Sequence, residues 1–227
     1  MCGRFTITVT IDELLSRYLI ESVPFRYIPR YNAAPGQLIT SIIANKGKNR
    51  IGQLKWGLVP SWAKDEKIGY KLINARAETL QEKASFKKIV HNKRCIIPVD
   101  GFYEWKKTNG MKQPMRIQLK DQSVFSLAGL YDTWVNSEGE KLHSCTIITT
   151  EPNQLMLHIH DRMPVILNRE EENQWLNHEQ YQFDSLKPLF KPYPSDQMMA
   201  YPVSNVVGNV KNDSPECIEE YTEPLLF

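Results

Sequence analysis

The stretch Arg94-Cys95-Ile96-Ile97-Pro98-Val99-Asp100-Gly101-Phe102-Tyr103-Glu104-Trp105-Lys106 decides how the fold is read. Arg94 to Val99 is apolar and reads as a strand. Asp100-Gly101 interrupts it with residues that turns favour. Phe102 to Lys106 then reads as a second strand. The same alternation of short strand and break recurs on both sides. Upstream, Gly3 to Val9 alternates and is rich in Thr, Ile and Val. Leu38 to Ala44 and Ile51 to Trp56 follow, joined by the turn-rich Asn45-Lys46-Gly47-Lys48-Asn49. Downstream, Met115–Leu119, Val124–Tyr131, Ser144–Thr149 and Met199–Ser204 continue the β pattern.

Helices are fewer. Thr10-Ile11-Asp12-Glu13 has the form of a capping box. Ile11, Leu14, Leu15, Tyr18 and Leu19 keep helical spacing, which predicts a helix over 11–21 that Pro24 and Pro29 stop. Tyr31 to Gly36 reads as a loop, and Ile73 to Thr79 leads into a polar helix around 80–91. Thr150-Glu151-Pro152 starts a short helix ending near His158. Asn168 caps another that runs to Leu176, with Glu171 three residues after the cap. Many short strands and few helices predict an α+β class. We expect one domain over residues 1–227, built on a curved, mainly antiparallel, barrel-like sheet with a few flanking helices. Residues 213–227 read as an acidic C-terminal tail.

At 227 residues the chain can bury a substantial core without staples. Net charge is only +2, but basic residues dominate from Lys83 to Lys120, where Asp100 and Glu104 are the acids. A basic central face with an acidic end suits a polyanionic ligand, or is simply a solvated surface. The four cysteines, Cys2, Cys95, Cys145 and Cys217, suit neither a zinc ribbon nor a disulfide framework. The N-terminus lacks the apolar region of a signal peptide, and no stretch approaches the ~20 apolar residues of a membrane helix. The sequence therefore predicts a cytoplasmic protein with reduced thiols and no membrane partner.

The most reactive feature is Met1-Cys2-Gly3-Arg4. Cysteine is small enough that a preceding methionine is usually trimmed. Without Met1 the chain begins with an amine and a thiol on adjacent carbons. The amine can condense with an aldehyde to an imine, which the thiol then closes to a five-membered thiazolidine. Unperturbed pKa values of ~7.7–8.0 for the amine and ~8.5 for the thiol leave both partly reactive near neutrality. The plain alternative is a small residue under a retained Met1.

Five stretches resemble the SOS response-associated peptidase (SRAP) family, whose members include abasic-site shield proteins. They are Met1-Cys2-Gly3-Arg4-Phe5, Tyr31-Asn32-Ala33-Ala34-Pro35-Gly36, Asn74-Ala75-Arg76-Ala77-Glu78-Thr79, Gly101-Phe102-Tyr103-Glu104-Trp105 and His160-Asp161-Arg162-Met163-Pro164. Val207-Gly208-Asn209-Val210-Lys211 matches a sixth. The resemblance runs through nearly the whole chain, in family order. It implies covalent capture of abasic sites in single-stranded DNA by a monomer through the mature Cys2, with no cofactor and no metal. A cysteine peptidase using Cys2 and His160 is the rival, and a noncovalent reader of modified nucleic acid is a third possibility.

Residue by residue, Glu104 sits between Tyr103 and Trp105, where apolar rings tend to raise a carboxyl pKa and suit it to proton transfer. By resemblance it is the acid/base, although a surface glutamate at a strand edge would look the same. His158-x-His160 invites a metal reading, discounted for want of further ligands. The family places its functional histidine at His160. Asn74 offers an amide to orient amine and sugar. Arg4, Arg76 and Arg162 are expected to hold phosphates, with a buried ion pair the alternative for Arg76 or Arg162. Trp62, flanked by Pro60 and followed by Ala63 where some relatives carry a second tryptophan, is expected to stack on a base. Pro35 packs against the same strand in this reading. Thr149 is a phosphate contact or an ordinary strand-end threonine.

Overall fold

The computed structural model describes residues 2–108, 110–177 and 182–222. Met1 and the last residues of the acidic tail, 223–227, lie outside the described residues. In chain order the elements are β1 (Phe5–Ile7), α1 (Ile11–Tyr18), β2 (Arg30–Ala33), β3 (Leu38–Asn45), β4 (Lys48–Trp56), β5 (Asn74–Arg76), β6 (Arg94–Val99), β7 (Gly101–Thr108), β8 (Met111–Leu119), β9 (Phe125–Val135), β10 (Lys141–Thr150), α2 (Gln154–Leu157), β11 (Met163–Pro164), β12 (Ile166–Leu167), α3 (Arg169–Leu176), α4 (Phe183–Leu186) and β13 (Met198–Pro202).

One sheet closes on itself. β3 and β4 form a hairpin with Asn45 opposite Lys48. Lys46 and Gly47 both take positive φ (51° and 74°), the two-residue turn whose twist matches paired strands. β3 then meets β6, β6 meets β9, and β9 meets β10, all antiparallel. β10 runs parallel to β4 and completes a five-stranded ring. Ile42, Trp56, Ile96 and Ile147 are among its buried residues. The second sheet is antiparallel throughout, in the order β13-β8-β7-β1-β2. Phe5 of β1 lies 5.1 Å from the Trp56 ring and joins the two. The α+β class and barrel-like architecture match the expectation from sequence.

The helices are local events. Thr10 and Glu13 form both halves of the capping box on α1, and Asn168 and Glu171 do the same on α3. α1 ends at Tyr18, three residues before the expected end. Leu19 turns left-handed (φ 53°), the Ile20 N–H returns to the Leu15 carbonyl at 2.9 Å, and Ile20 is thereby buried. α2 starts at Gln154, capped by Asn153 rather than by Thr150.

Two expectations fail. Arg30–Ala33 is a strand rather than part of a loop, because β1 pairs with it and the Asp213 carboxylate accepts the Tyr31 and Asn32 N–H groups. The polar helix at 80–91 does not form. That segment is a chain of single turns, with a short 3-10 helix at Ile89–His91. Leu80, Phe86, Ile89 and Val90 each anchor a turn in the core. They leave no continuous apolar stripe of helical period to hold a helix against the body.

Candidate active site

The chain's first residues are fixed by β1, which lies between β2 and β7. Asp100, buried at the β6–β7 break, accepts hydrogen bonds from Thr6 Oγ1, from Thr8 N at 2.6 Å and from Thr8 Oγ1 at 2.5 Å. The buried Arg116 guanidinium sits 3.2 Å from the Asp100 carboxylate. It also covers Gly101 so closely that an added Cβ would lie 2.8 Å from Nε. The Asp100-Gly101 pair is thus an anchor for β1 as well as a strand break.

Arg4 follows the same logic. Its Nη1 donates to Asn32 Oδ1 at 2.9 Å and to the Val207 carbonyl at 2.7 Å, and Nη2 reaches the Gly208 carbonyl at 3.3 Å. Its guanidinium also lies 6.0 Å from the Trp105 ring centre. Asn32 Nδ2 faces the carbonyls of Val207, Asn209 and Asn212 at 3.1, 3.1 and 2.8 Å. Asp213, read as the start of the acidic tail, binds β2 and pairs with Arg30.

Cys2 is fully buried. Asn74, at the start of β5, donates through Nδ2 to the Cys2 carbonyl at 2.9 Å. Asn74 Oδ1 is buried without a hydrogen-bond partner among the described residues. Glu104 projects from β7 and is 3 % exposed. Its Oε2 lies 3.9 Å from His160 Nε2. Burial raises the Glu104 pKa. Burial, and then the charge of Glu104, push the Cys2 thiol far above its usual range. His160 follows α2, its N–H on the Met156 carbonyl at 2.8 Å. His160 Nδ1 accepts the Arg162 backbone N–H at 3.1 Å and lies 2.9 Å from Asp161 Oδ1. The first contact suits a neutral ring with its proton on Nε2, the second a ring protonated on Nδ1.

β10 gathers the next group. Beyond the end of β4 it pairs with β5, placing Arg76 opposite Thr149, and with β11, placing Pro164 opposite Thr149. Thr149 Oγ1 is buried without a partner among the described residues. Arg76 is exposed. Arg162 is in an ion pair, with both Nη atoms on the Glu78 carboxylate at 2.7 and 2.9 Å and Nη2 also on the Thr149 carbonyl at 2.8 Å.

Pro35 occupies the second position of a turn closed by Gln37 N–H to Ala34 O at 3.3 Å, with Gly36 at φ 87°. Gly36 N–H is tied to the Trp56 carbonyl at 2.7 Å, at the root of the Trp62 loop. Trp62 itself stands 57 % exposed. Its backbone is pinned by Ser61 N–H to Asp132 and by Trp134 Nε1 to the Ala63 carbonyl. Gly57, at φ 126°, touches the Gly69 backbone so closely that a Cβ would lie 2.8 Å from that carbonyl oxygen.

The structure therefore brings Cys2, Asn74, Glu104 and His160 together. It lines up Arg76, Thr149 and Arg162 along the end of β10 and sets Trp62 on a separate loop. Sequence reading missed Asn32, Asp213, Glu78 and Asp161. Asn32, Glu78 and Asp161 lie inside the quoted motifs, which was the available signal.

Residues 1–210 match the family described as SOS response associated peptidase (SRAP). The chain is 54% identical, over 97% of its length and 100% of the relative's, to the "Abasic site processing protein YoqW" of Bacillus subtilis. It is 34% identical, over 96% of its length and 78% of the relative's, to the "Abasic site processing protein HMCES" of Xenopus tropicalis. A crystal structure of a protein from Bacteroides thetaiotaomicron superposes with a TM-score of 0.85 at 29% identity, covering 97% of this chain and 100% of that one. The chain belongs to the SRAP family.

Proposed function

We propose that this chain processes abasic sites, and that it does so by capturing them in single-stranded DNA through Cys2 once Met1 is removed. The observation that carries the proposal is the Asn74–Cys2 hydrogen bond, which holds buried Cys2 in a site that also contains buried Glu104 and half-buried His160. The relatives' names as abasic site processing proteins support the substrate class.

In this scheme the ring-closed abasic sugar opens to its aldehyde, assisted by protons from Glu104 and His160. The Cys2 amine adds to C1′, oriented by Asn74 Oδ1, an acceptor with no partner of its own among the described residues. Glu104, whose burial keeps it protonated to higher pH than an ordinary carboxyl, protonates the departing oxygen. Water leaves, a protonated imine forms, and Glu104 is left as the carboxylate. The Cys2 sulfur then adds to the imine carbon while its proton passes to Glu104. Amine, thiol and aldehyde thus become one thiazolidine and one water. The scheme calls for neither metal nor organic cofactor. Arg4, Arg76, Arg162 and Thr149 hold phosphates, Pro35 packs against the strand, and Trp62 stacks on a base. The chain acts as a monomer in the cytoplasm and joins the nucleoid when bound, within a response to DNA damage.

The peptidase rival has less support. A peptidase cysteine must make the first attack as thiolate, favoured by a lowered pKa, whereas burial raises that of Cys2. In the aminothiol scheme the amine attacks first, and the thiol only closes a ring onto an activated imine. Self-removal of Met1 is the peptidase act most compatible with the site.

The test is a denaturing gel of the mature chain with abasic and intact single strands. A durable band with abasic DNA alone supports the proposal. A verified uncleaved N-terminal extension should abolish it, because the thiol survives but the amine becomes an amide. Equal crosslinking by that extended chain would eliminate the aminothiol mechanism.

A further inference from the structure

Arg162 presents a puzzle if it is to hold a DNA phosphate. Its two Nη atoms grip both oxygens of Glu78, in the fork geometry a guanidinium uses for a phosphate. Nη2 is shared with the Thr149 carbonyl, and Nε is buried with no hydrogen-bond partner among the described residues. The Arg162 side chain is 12% exposed and that of Glu78 is 51% exposed. One partner is thus held by the body while the other faces solvent. Glu78 lies in the short 3-10 turn Ala77–Thr79 directly after β5, whose last residue is the exposed Arg76. A carboxylate therefore occupies the phosphate-binding face of one proposed anchor, next to another.

We infer that Glu78 is an internal stand-in for a DNA phosphate, seated on Arg162 in the free protein and displaced when a strand binds. The inference rests on the DNA-binding reading above and deepens it. In the free chain the pair keeps Arg162 ordered and charge-neutral. A lone phosphate or a poorly placed strand must then compete with a tethered carboxylate that is already bidentate. A strand that also engages Arg4 and Arg76 gains enough elsewhere to displace it. Glu78 is accordingly a specificity residue, acting on the ligand's entry and not on the aldehyde.

The opposite role is physically reasonable too. Glu78 could remain in place and hold Arg162 at the right angle for a phosphate approaching from its Nε side. The two roles predict opposite signs, so the sign of one substitution decides between them.

The experiment uses the full chain and an undamaged fluorescent single-stranded oligonucleotide, with affinity read by anisotropy at fixed salt. Glu78→Gln keeps the shape and loses the charge, and should tighten binding by up to roughly fivefold, the upper end for an exposed ion pair. Glu78→Ala, a second route to the same loss, should also tighten it. In an Arg162→Gln background the gain from Glu78→Gln should largely vanish, because there is no fork left to compete for. Thermal melts establish that each variant is folded. Weaker or unchanged binding by both Glu78 variants would overturn the inference in favour of a supporting role. An equal gain with and without Arg162 would overturn it in favour of plain charge repulsion. Wild-type crosslinking to abasic DNA, run alongside, separates this failure from failure of the functional reading. A chain that crosslinks normally but gains nothing from Glu78→Gln refutes the stand-in alone.

Discussion

Glu104 Oε2 lies 3.9 Å from His160 Nε2, with the carboxyl buried and the imidazole at the edge of solvent. The separation is longer than a hydrogen bond, so the two groups share a site without being locked to each other. A substrate oxygen placed between them could receive a proton from either. If Glu104 is the main carrier, Glu104→Gln should slow abasic-site crosslinking near neutral pH by about 10²-fold. It should slow release of a preformed crosslink as well, since the same group serves both directions. Single-turnover gels run forward and in reverse check both halves.

The same carboxyl makes a prediction about stability. Burial raises its pKa in the folded chain, so the fold holds this proton more tightly than the unfolded chain does. The resulting stabilisation is complete below the ordinary glutamate range and is lost as pH rises through the folded value. Gln cannot ionise and escapes that loss. The melting temperature of Glu104→Gln relative to wild type should therefore climb as pH rises from about 4, the ordinary glutamate value, through the raised folded value. A difference that stayed flat across that span would mean that Glu104 ionises as freely in the fold as outside it.

Asn74→Ala removes the donor to the Cys2 carbonyl together with Oδ1, which has no hydrogen-bond partner among the described residues. Loss of one hydrogen bond costs about 1 kcal/mol, which a melt will register as a small shift. Loss of orientation at the reacting amine should cost far more in rate, on the order of 10²-fold in crosslinking. A large fall in stability with little change in rate would reverse the assignment and make Asn74 structural.

Gly57→Ala tests the scaffold of the Trp62 loop. The substitution forces an L side chain to φ 126° and drives its Cβ to 2.8 Å from the Gly69 oxygen. We expect a loss of roughly 1–3 kcal/mol, measured by denaturant unfolding. Gly47→Ala, where φ is also positive but no atom of the described residues lies within 4 Å of the new Cβ, should cost less.

What the sequence made legible was what its neighbours in sequence determine. The capping boxes at Thr10–Glu13 and Asn168–Glu171 need four consecutive residues, and both formed. The strands around Asp100-Gly101 announce themselves by composition, and they formed too. A barrel-like sheet was legible, but the pair that closes it was not, since β4 and β10 meet in parallel across the intervening chain. Tyr31 to Gly36 reads as loop, and its first half is strand, because the partners of that half are β1 and Asp213, the latter 181 residues beyond Asn32. The 80–91 segment misled in the opposite way, offering helix-forming residues whose buried members, Leu80 and then Phe86, Ile89 and Val90, do not make one continuous helical stripe. At the site, residue types marked Cys2, Glu104 and His160. The partners of the arginines stayed hidden because Arg4 meets Asn32 across 28 positions and Arg162 meets Glu78 across 84.

The hold of Val207 on Arg4 spans 203 positions. Together with the bonds that Asn212 and Asp213 make to Asn32 and Tyr31, it makes the surroundings of Arg4 and β2 a product of residues 207–213. During synthesis Arg4 and β2 leave the ribosome long before these neighbours exist, so their final seating waits for nearly the whole chain. A chain truncated ahead of residue 207 would lack the partners that hold Arg4 and Asn32.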